Sequence, residues 1–436
     1  MSTLEREHEL LDLLSGPEAG EMLRLAVTGA AGGSAHADGA GTDSVGTEFI
    51  GTTTAAGPLT RWQVEVGSVH HRPGAGLSVV YRVQYELGET RVNEHLVAST
   101  VDLPETPGVA VLRRGSHAVR VWRRADDPFL PGLAQALVPR AVAGWLGAEE
   151  PGPSARSHLL SYRPTRRAVI RYTSDSGTCY LKVLPEEKLT RLARRHTMLA
   201  ESGSPAPAVL GRPLPTVLLL EASPGRPLAE AIASAVSRPE DLPDPMQIVS
   251  WLDQLPPAVL KLNARPSWVD RIDFHAAAAR SALTDQARRV NAVEQGVRDV
   301  LARRPRPGMV PTHGDFYEAN IFTDAGRVSG VIDLDSLGPG VREDDLATLL
   351  GHMVVLRRLA PTTYPHTDDL TRRWFSALSG TCDPVALAAR VAGVVLSLVA
   401  GTSREQAMSR LAAAEDWLRR AEELALSDPA LYLGGR

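Results

Sequence analysis

Residues 312–322 read THGDFYEANIF, and residues 330–340 read GVIDLDSLGPG. The first stretch sets His313, Gly314 and Asp315 in a row, with Asn320 five positions beyond the aspartate; the second adds Asp333 and Asp335. Between them, IFT and VSGVID read as two short strands joined at Asp324, Ala325 and Gly326, a sequence that suits a tight hairpin turn. Such a ribbon returns Asp333 to the side of Asn320. Polar side chains at the ends of short apolar strands are then aimed at one point.

That set fits phosphoryl transfer. A nucleoside triphosphate needs a divalent cation across its phosphates, and Mg2+ takes a few carboxylate or amide oxygens, with water and phosphate in the remaining positions. The acceptor hydroxyl needs a carboxylate to orient it and take its proton, and a lysine from elsewhere offsets the triphosphate charge. Asp315, Asn320 and Asp333 supply these groups as base, metal ligand and metal ligand. A metallohydrolase built on His313 and Asp315 is the alternative; it would need further ligands at metal spacing, and VIDLD is the only partner in view.

HGDFYEAN followed by VIDLD resembles the aminoglycoside phosphotransferase and choline kinase family, which shares the protein-kinase fold. GPGVREDDLA, residues 338–347, stands where that family has a glycine-rich turn and Asp-Leu-Ala. The resemblance implies that Asp315 is the catalytic base, that His313 belongs to the same catalytic loop as its brace, and that Asn320 and Asp333 bind Mg2+. It makes Asp345 a structural carboxylate at a helix start. Lys182, in the apolar run TCYLKVL, matches the family's nucleotide lysine; without the downstream motif it reads instead as an exposed edge-strand lysine that blunts pairing. The hinge that meets adenine falls at LLLEASPG, near Glu221 and Ser223.

Two departures stand out. The helix after the lysine strand has His196 where a glutamate partner is expected, which leaves Glu187 as a candidate beside Glu186 and Glu201. The turn that would cover the phosphates, RPTRR, has no glycine; Thr165, Arg166 and Arg167 could meet phosphate directly or form a solvated turn. The implied fold is α+β and bilobal, protein-kinase-like, with a β-rich N-lobe at 151–228, a helical C-lobe at 229–436, and an additional N-terminal α+β cap at 1–150. The implied activity is transfer from ATP to an alcohol group. Related bacterial sugar kinases also carry an N-terminal cap, so the expectation leans to a sugar or amino-sugar hydroxyl. A polycationic drug would need more carboxylates than Asp335, Glu343 and Asp344. A nucleotide-binding protein without catalysis is the rival reading. A protein kinase is disfavoured, since His-Gly-Asp replaces His-Arg-Asp and no Ala-Pro-Glu follows.

The rest of the chain sets the frame. Its 436 residues suit two to three domains at about 100–200 residues each. A net charge of −4 gives no electrostatic case for nucleic acid. Two cysteines, Cys179 and Cys382, make no disulfide framework, and a reducing, cytoplasmic compartment is expected. We find no signal-peptide h-region and no apolar run near about 18 residues, so neither secretion nor a membrane span is expected. Residues 5–27 read as one helix. The stretch from Thr28 to about 58 is rich in Gly, Ala, Ser and Thr; its LAVTGAAGG resembles a dinucleotide-binding turn, but no apolar-faced helix follows, so we read a linker. WQVEVGSV, LSVVYRVQYEL, VAVLRR and AVRVW alternate as strands, with Trp62, Trp122 and Trp145 expected in the core of that region; His70 and His71 read as a surface pair. HRPGAGLSVVYRV and YRPTRRAVIRY share an Arg-Pro before an alternating run, offset by 91 residues from Arg72 to Arg163. Chance and an internal repeat both remain open for that pair.

Overall fold

The computed structural model describes residues 3–28, 48–50, 59–72, 76–103, 106–114, 117–235 and 238–427. It divides into two compact units: Met1–Thr190 with Leu210–Glu221, and Arg191–Val209 with Ala222–Arg436. The N-terminal part is built on β-sheets and the C-terminal part largely on helices, an α+β arrangement.

The first unit opens with α1 (Thr3–Ser15) and α2 (Glu18–Thr28) rather than one helix. The break falls at Gly16-Pro17: the residue before a proline is pushed out of the helical region, and proline carries no N–H to continue the ladder. Six strands follow: β1 (Glu48–Ile50), β2 (Leu59–Arg72), β3 (Gly76–Leu87), β4 (Thr90–Ser99), β5 (Ala110–Arg114) and β6 (His117–Arg123). They form a sheet ordered β1-β5-β6-β4-β3-β2. The linker expected at 28–58 lies outside the described residues, apart from Thr28 at the end of α2 and the three residues of β1, which pair with β5. Period-2 alternation gives the sheet two apolar faces. Leu77, Val79, Tyr81 and Val83 join Leu14, Leu23 and Val27 of the helices, and the Tyr81 hydroxyl donates to the Leu14 carbonyl at 2.6 Å. On the other face Val80, Val97 and Trp122 pack with Tyr162 of the next sheet.

After α3 (Leu133–Ala136) and α4 (Pro139–Trp145) comes a second sheet. It comprises β7 (Arg156–Arg163), β8 (Arg167–Ser174), β9 (Gly177–Val183), β10 (Val209–Leu214) and β11 (Val217–Glu221), ordered β10-β11-β9-β8-β7. Helix α5 (Glu186–Ser202) lies in sequence between β9 and β10. The core under this sheet includes Ala168, Ile170, Cys179, Leu181, Val183, Val217 and Leu219. Trp145 packs here, with α4, and not in the N-terminal core where its sequence position suggested; Trp62 does pack against the N-terminal core.

The second unit holds the short strands β12 (Arg226–Pro227), β13 (Val310–Thr312), β14 (Ile321–Asp324), β15 (Arg327–Val331) and β16 (Gly338–Gly340). Its helices are α6 (Leu228–Ala233), α7 (Pro245–Asp253), α8 (Ile272–Ala282), α9 (Ala287–Ala302), α10 (Arg342–Leu359), α11 (Thr367–Leu378), α12 (Pro384–Ser397) and α13 (Arg404–Leu426). Helix α12 is apolar on nearly every side and is packed by α8, α9, α10 and α13, as a helix without a polar face must be. Asp383 caps it by accepting from the amides of Val385 and Ala386, with Pro384 in the first turn, where its missing N–H costs nothing. Among the described residues no helix is long and apolar enough to cross a membrane.

Candidate active site

The hairpin expected between Asn320 and Asp333 is formed. Asp324 pairs with Arg327 across a two-residue loop, with Ala325 at φ 45° and Gly326 at φ 71°, the double positive φ that matches the twist of a tight hairpin. Ile321 pairs with Val331, and the Ile332 amide donates to the Asn320 carbonyl at 2.9 Å. Asp333 is therefore the residue that follows Asn320's backbone partner. It sits in the left-handed region, φ 64° and ψ 55°, a conformation that costs about 1–3 kcal/mol outside glycine and that aspartate tolerates better than most.

His313 fixes the loop from inside. Its ring is fully buried, beside Trp251 and Phe316, whose rings stack on one another at 5.6 Å. Nε2 lies 3.0 Å from the Ile332 carbonyl, and Nδ1 accepts the Asp315 amide at 3.3 Å. A carbonyl can only accept and an amide can only donate, so these partners select the neutral ring with its proton on Nε2. The ring thus ties the Asp315 end of the loop to the strand that leads into Asp333. Asp345, in the first turn of α10, accepts from the His313 amide at 2.7 Å and the Gly314 amide at 2.8 Å. Complete burial pushes its carboxyl up to about 7, against the pull of those two amides. Gly314 is at φ 79°, and a Cβ there would come within 2.7 Å of the Ser336 carbonyl oxygen, so the middle position of His-Gly-Asp admits no side chain.

Asn320 is buried, and its Nδ2 donates to the Asp315 carbonyl at 2.9 Å. Its amide oxygen and the Asp333 carboxylate, brought to the same end of the hairpin by the backbone pairing, are both hard oxygen donors. That pair fits Mg2+, which fills its other positions with water and phosphate oxygens. Asp315 is half-buried in the same loop.

Asp344 is ion-paired with Arg390, Glu343 is buried, and Asp335 acts on the buried Arg195, which donates to the Leu337 carbonyl at 3.2 Å. Arg195 was not singled out in the sequence; it holds the stretch after Asp333 from the part of α5 that belongs to this unit. Glu318, in the same loop, is buried; its Oε2 lacks a hydrogen-bond partner and lies 3.9 Å from His352 Nδ1, and burial pushes the carboxyl up to about 7. Ser223, expected at the hinge, lies in this unit, with its hydroxyl against Gly330 and without a hydrogen-bond partner.

The first unit carries Lys182, Arg166, Arg167 and Glu221, four of the residues expected at the nucleotide. Lys182 lies on β9 opposite Val169 of β8. Its neighbours Leu181 and Val183 point into the core, so its side chain is on the other face, half-buried. Arg167 begins β8 two residues before Val169, and Arg166 precedes it in the turn. Glu221 ends β11, exposed, opposite Cys179. Of the acidic candidates on α5, Glu187 is exposed and Glu186 pairs with Arg212 at 3.8 Å. His196 is buried, with Nδ1 2.9 Å from the Pro207 carbonyl.

The turn between β7 and β8 explains how RPTRR manages without glycine. The Arg166 amide donates to the Arg163 carbonyl at 3.0 Å, Pro164 is second, and Thr165, third, is at φ 61°. These are the marks of a type II turn, whose third position normally takes glycine. A β-branched residue there costs about 1–3 kcal/mol. Asp127, 1% exposed, accepts from the Thr165 amide at 2.8 Å and from the Tyr162 hydroxyl at 2.7 Å. It lies 38 residues from Thr165 in sequence, and no local pattern marked it.

The model of the Phosphotransferase enzyme family matches residues 165–369. No curated protein sequence matches the chain. Solved structures similar to it include a thermostable mutant of the aminoglycoside phosphotransferase APH(4)-Ia, at 17% identity and TM-score 0.45, covering 65% of this chain and 99% of that one. Aminoglycoside phosphotransferase APH(3'')-Id from Streptomyces rimosus is similar at 20% identity and TM-score 0.33, covering 64% and 95%. A choline/ethanolamine kinase family protein from Mesorhizobium loti is similar at 17% identity and TM-score 0.41, covering 66% and 95%. Residues 165–369 are thus the part of the chain that is similar to the Phosphotransferase enzyme family.

Proposed function

We propose that this protein is a cytoplasmic small-molecule kinase that uses ATP and Mg2+ to phosphorylate an acceptor hydroxyl. The observation that carries the reading is the braced loop in which Asn320 holds the Asp315 backbone while the hairpin returns Asp333 beside it. Asp315 orients the acceptor hydroxyl and takes its proton as the oxygen attacks. Asn320 Oδ1 and the Asp333 carboxylate hold Mg2+, which when bound offsets charge on the phosphates. Lys182 neutralises phosphate oxygens, Arg166 and Arg167 add positive charge at the turn, and the backbone near Glu221 and Ser223 meets the adenine edge. His313 and Asp345 position the loop and touch no substrate. Residues 1–150 form a cap region, supported by a six-stranded sheet with its own core; 151–228 and 229–436 act as the two lobes.

A neutral sugar or amino-sugar acceptor is supported by the state of the nearby acids: Asp344 held by Arg390, Glu343 buried and Asp335 facing Arg195 leave little negative charge for a polycation. The glycine-free turn favours the second reading, a nucleotide-binding protein without catalysis. A panel of sugars, amino sugars, aminoglycosides and amino alcohols, scored for acceptor-dependent ADP release, separates the two. We expect release with at least one hydroxyl acceptor and its loss, by at least about a hundredfold, in Asp315→Asn. ADP release equal in Asp315→Asn and wild type would remove Asp315 as the base.

A further inference from the structure

Asp127 comes from the segment that joins the six-stranded sheet to α3, outside the residues that match the family. Beyond its bonds to Thr165 and Tyr162, its carboxylate accepts the Phe129 amide at 2.9 Å, so a fully buried anion is held by three donors. Burial raises its pKa, and the Thr165 amide, the Tyr162 hydroxyl and the amides of Phe129 and Leu130 oppose that rise. The turn it grips is crowded with cations. Arg163 and Arg166 act on His70, near the end of β2, whose pKa is lowered by burial and then by those two arginines. Arg167 continues into the strand that pairs with Lys182. A positively charged turn at a strand entry, next to a lysine strand, is suited to phosphate oxygens, but its backbone is usable only while Thr165 keeps its left-handed conformation.

We propose that Asp127 is a positioning residue for nucleotide binding: its carboxylate locks the Arg163–Arg166 turn in the conformation that glycine would adopt unaided, and so holds the turn's backbone and Arg166 ready for the phosphates of ATP. This rests on the kinase reading above. It gives the N-terminal region a part in nucleotide binding, through an interaction that the matched domain does not contain.

The test is a double-mutant cycle on the full chain, read as the dissociation constant of MgATP by calorimetry, with melting temperature recorded for each variant. Asp127→Ala should weaken MgATP about tenfold, the cost of losing one buried charge-assisted hydrogen bond. In a Thr165→Gly background the same substitution should weaken it by less than about threefold, because glycine needs no lock. Asp127→Asn, which keeps an oxygen to accept the Thr165 amide, should stay within about threefold of wild type and serves if the alanine variant does not fold. Equal affinity in wild type and Asp127→Ala, or an equal loss in both backgrounds, overturns the proposal and leaves the kinase reading intact. A wild-type protein that does not bind MgATP overturns both.

Discussion

The two sheets of the first unit share one plan. Read from their β2 and β7 edges, they run β2-β3-β4-β6-β5 and β7-β8-β9-β11-β10, with β1 added only to the first. The hairpins that open them close at matching places, Arg72 opposite Gly76 and Arg163 opposite Arg167. Two residues into the second strand of each hairpin, Ser78 pairs with Ser99 and Val169 pairs with Lys182. The fully buried Ser99 stands where Lys182 stands, its hydroxyl 2.8 Å from that of Ser78. No described helix separates β4 from β5, whereas α5 separates β9 from β10. The 91-residue echo in the sequence thus has a counterpart in strand order. The difference teaches that the sheet is a scaffold, and that a cation, a following helix and a charged turn set the second sheet apart for the phosphate binding proposed above.

The contrast is broken or sharpened first at these paired positions. Lys182→Met should reduce ATP-dependent transfer about a thousandfold while leaving the melting temperature within a few degrees, as expected for a charge directed at the transferring phosphates. A loss of stability with unchanged turnover would make Lys182 a structural residue and erase the distinction between the sheets.

The next effect separates buried acids inside the helical unit. Glu318 has its folded pKa raised to about 7 from an ordinary 4.5 by burial. The folded state therefore holds this proton more tightly than the unfolded chain. The stability it contributes is complete below the unfolded pKa and is lost as pH rises towards 7, by up to about 3 kcal/mol. Denaturant titrations at pH 5 and pH 8 should show Glu318→Gln losing less stability over that interval than wild type; parallel losses would place the titration elsewhere. The smallest effect belongs to the unequipped sheet. Ser99→Ala removes a buried hydroxyl bonded to Ser78 and to the Leu77 carbonyl. It should cost about 1 kcal/mol of stability with no change in MgATP affinity.

The hairpin between Asn320 and Asp333 was legible because its parts are local: two short apolar strands and an Asp-Ala-Gly turn fix the return of the backbone. Strand β4 was missed because its last four residues are all buried without alternation, while the polar Arg91 and Asn93 in its first half are exposed and read as loop. Asp127 was illegible for another reason. A carboxylate that stabilises a left-handed threonine 38 residues away leaves no periodic trace, and the missing glycine in RPTRR showed only that something had to compensate. Arg195 was hidden in the same way, its partner Leu337 lying 142 residues on. Burial of Trp62 and Trp122 followed from alternation, but which core received Trp145 depended on the packing of α4.

The most direct test is thermal denaturation of the wild-type chain and of Asp333→Ala with ATP, each with and without Mg2+. A shift that needs both ATP and Mg2+ in the wild type, and that disappears in Asp333→Ala, is the predicted result. A wild-type shift that is absent, or that is the same with and without the cation, would contradict the assignment of residues 315, 320 and 333 to a magnesium-nucleotide site.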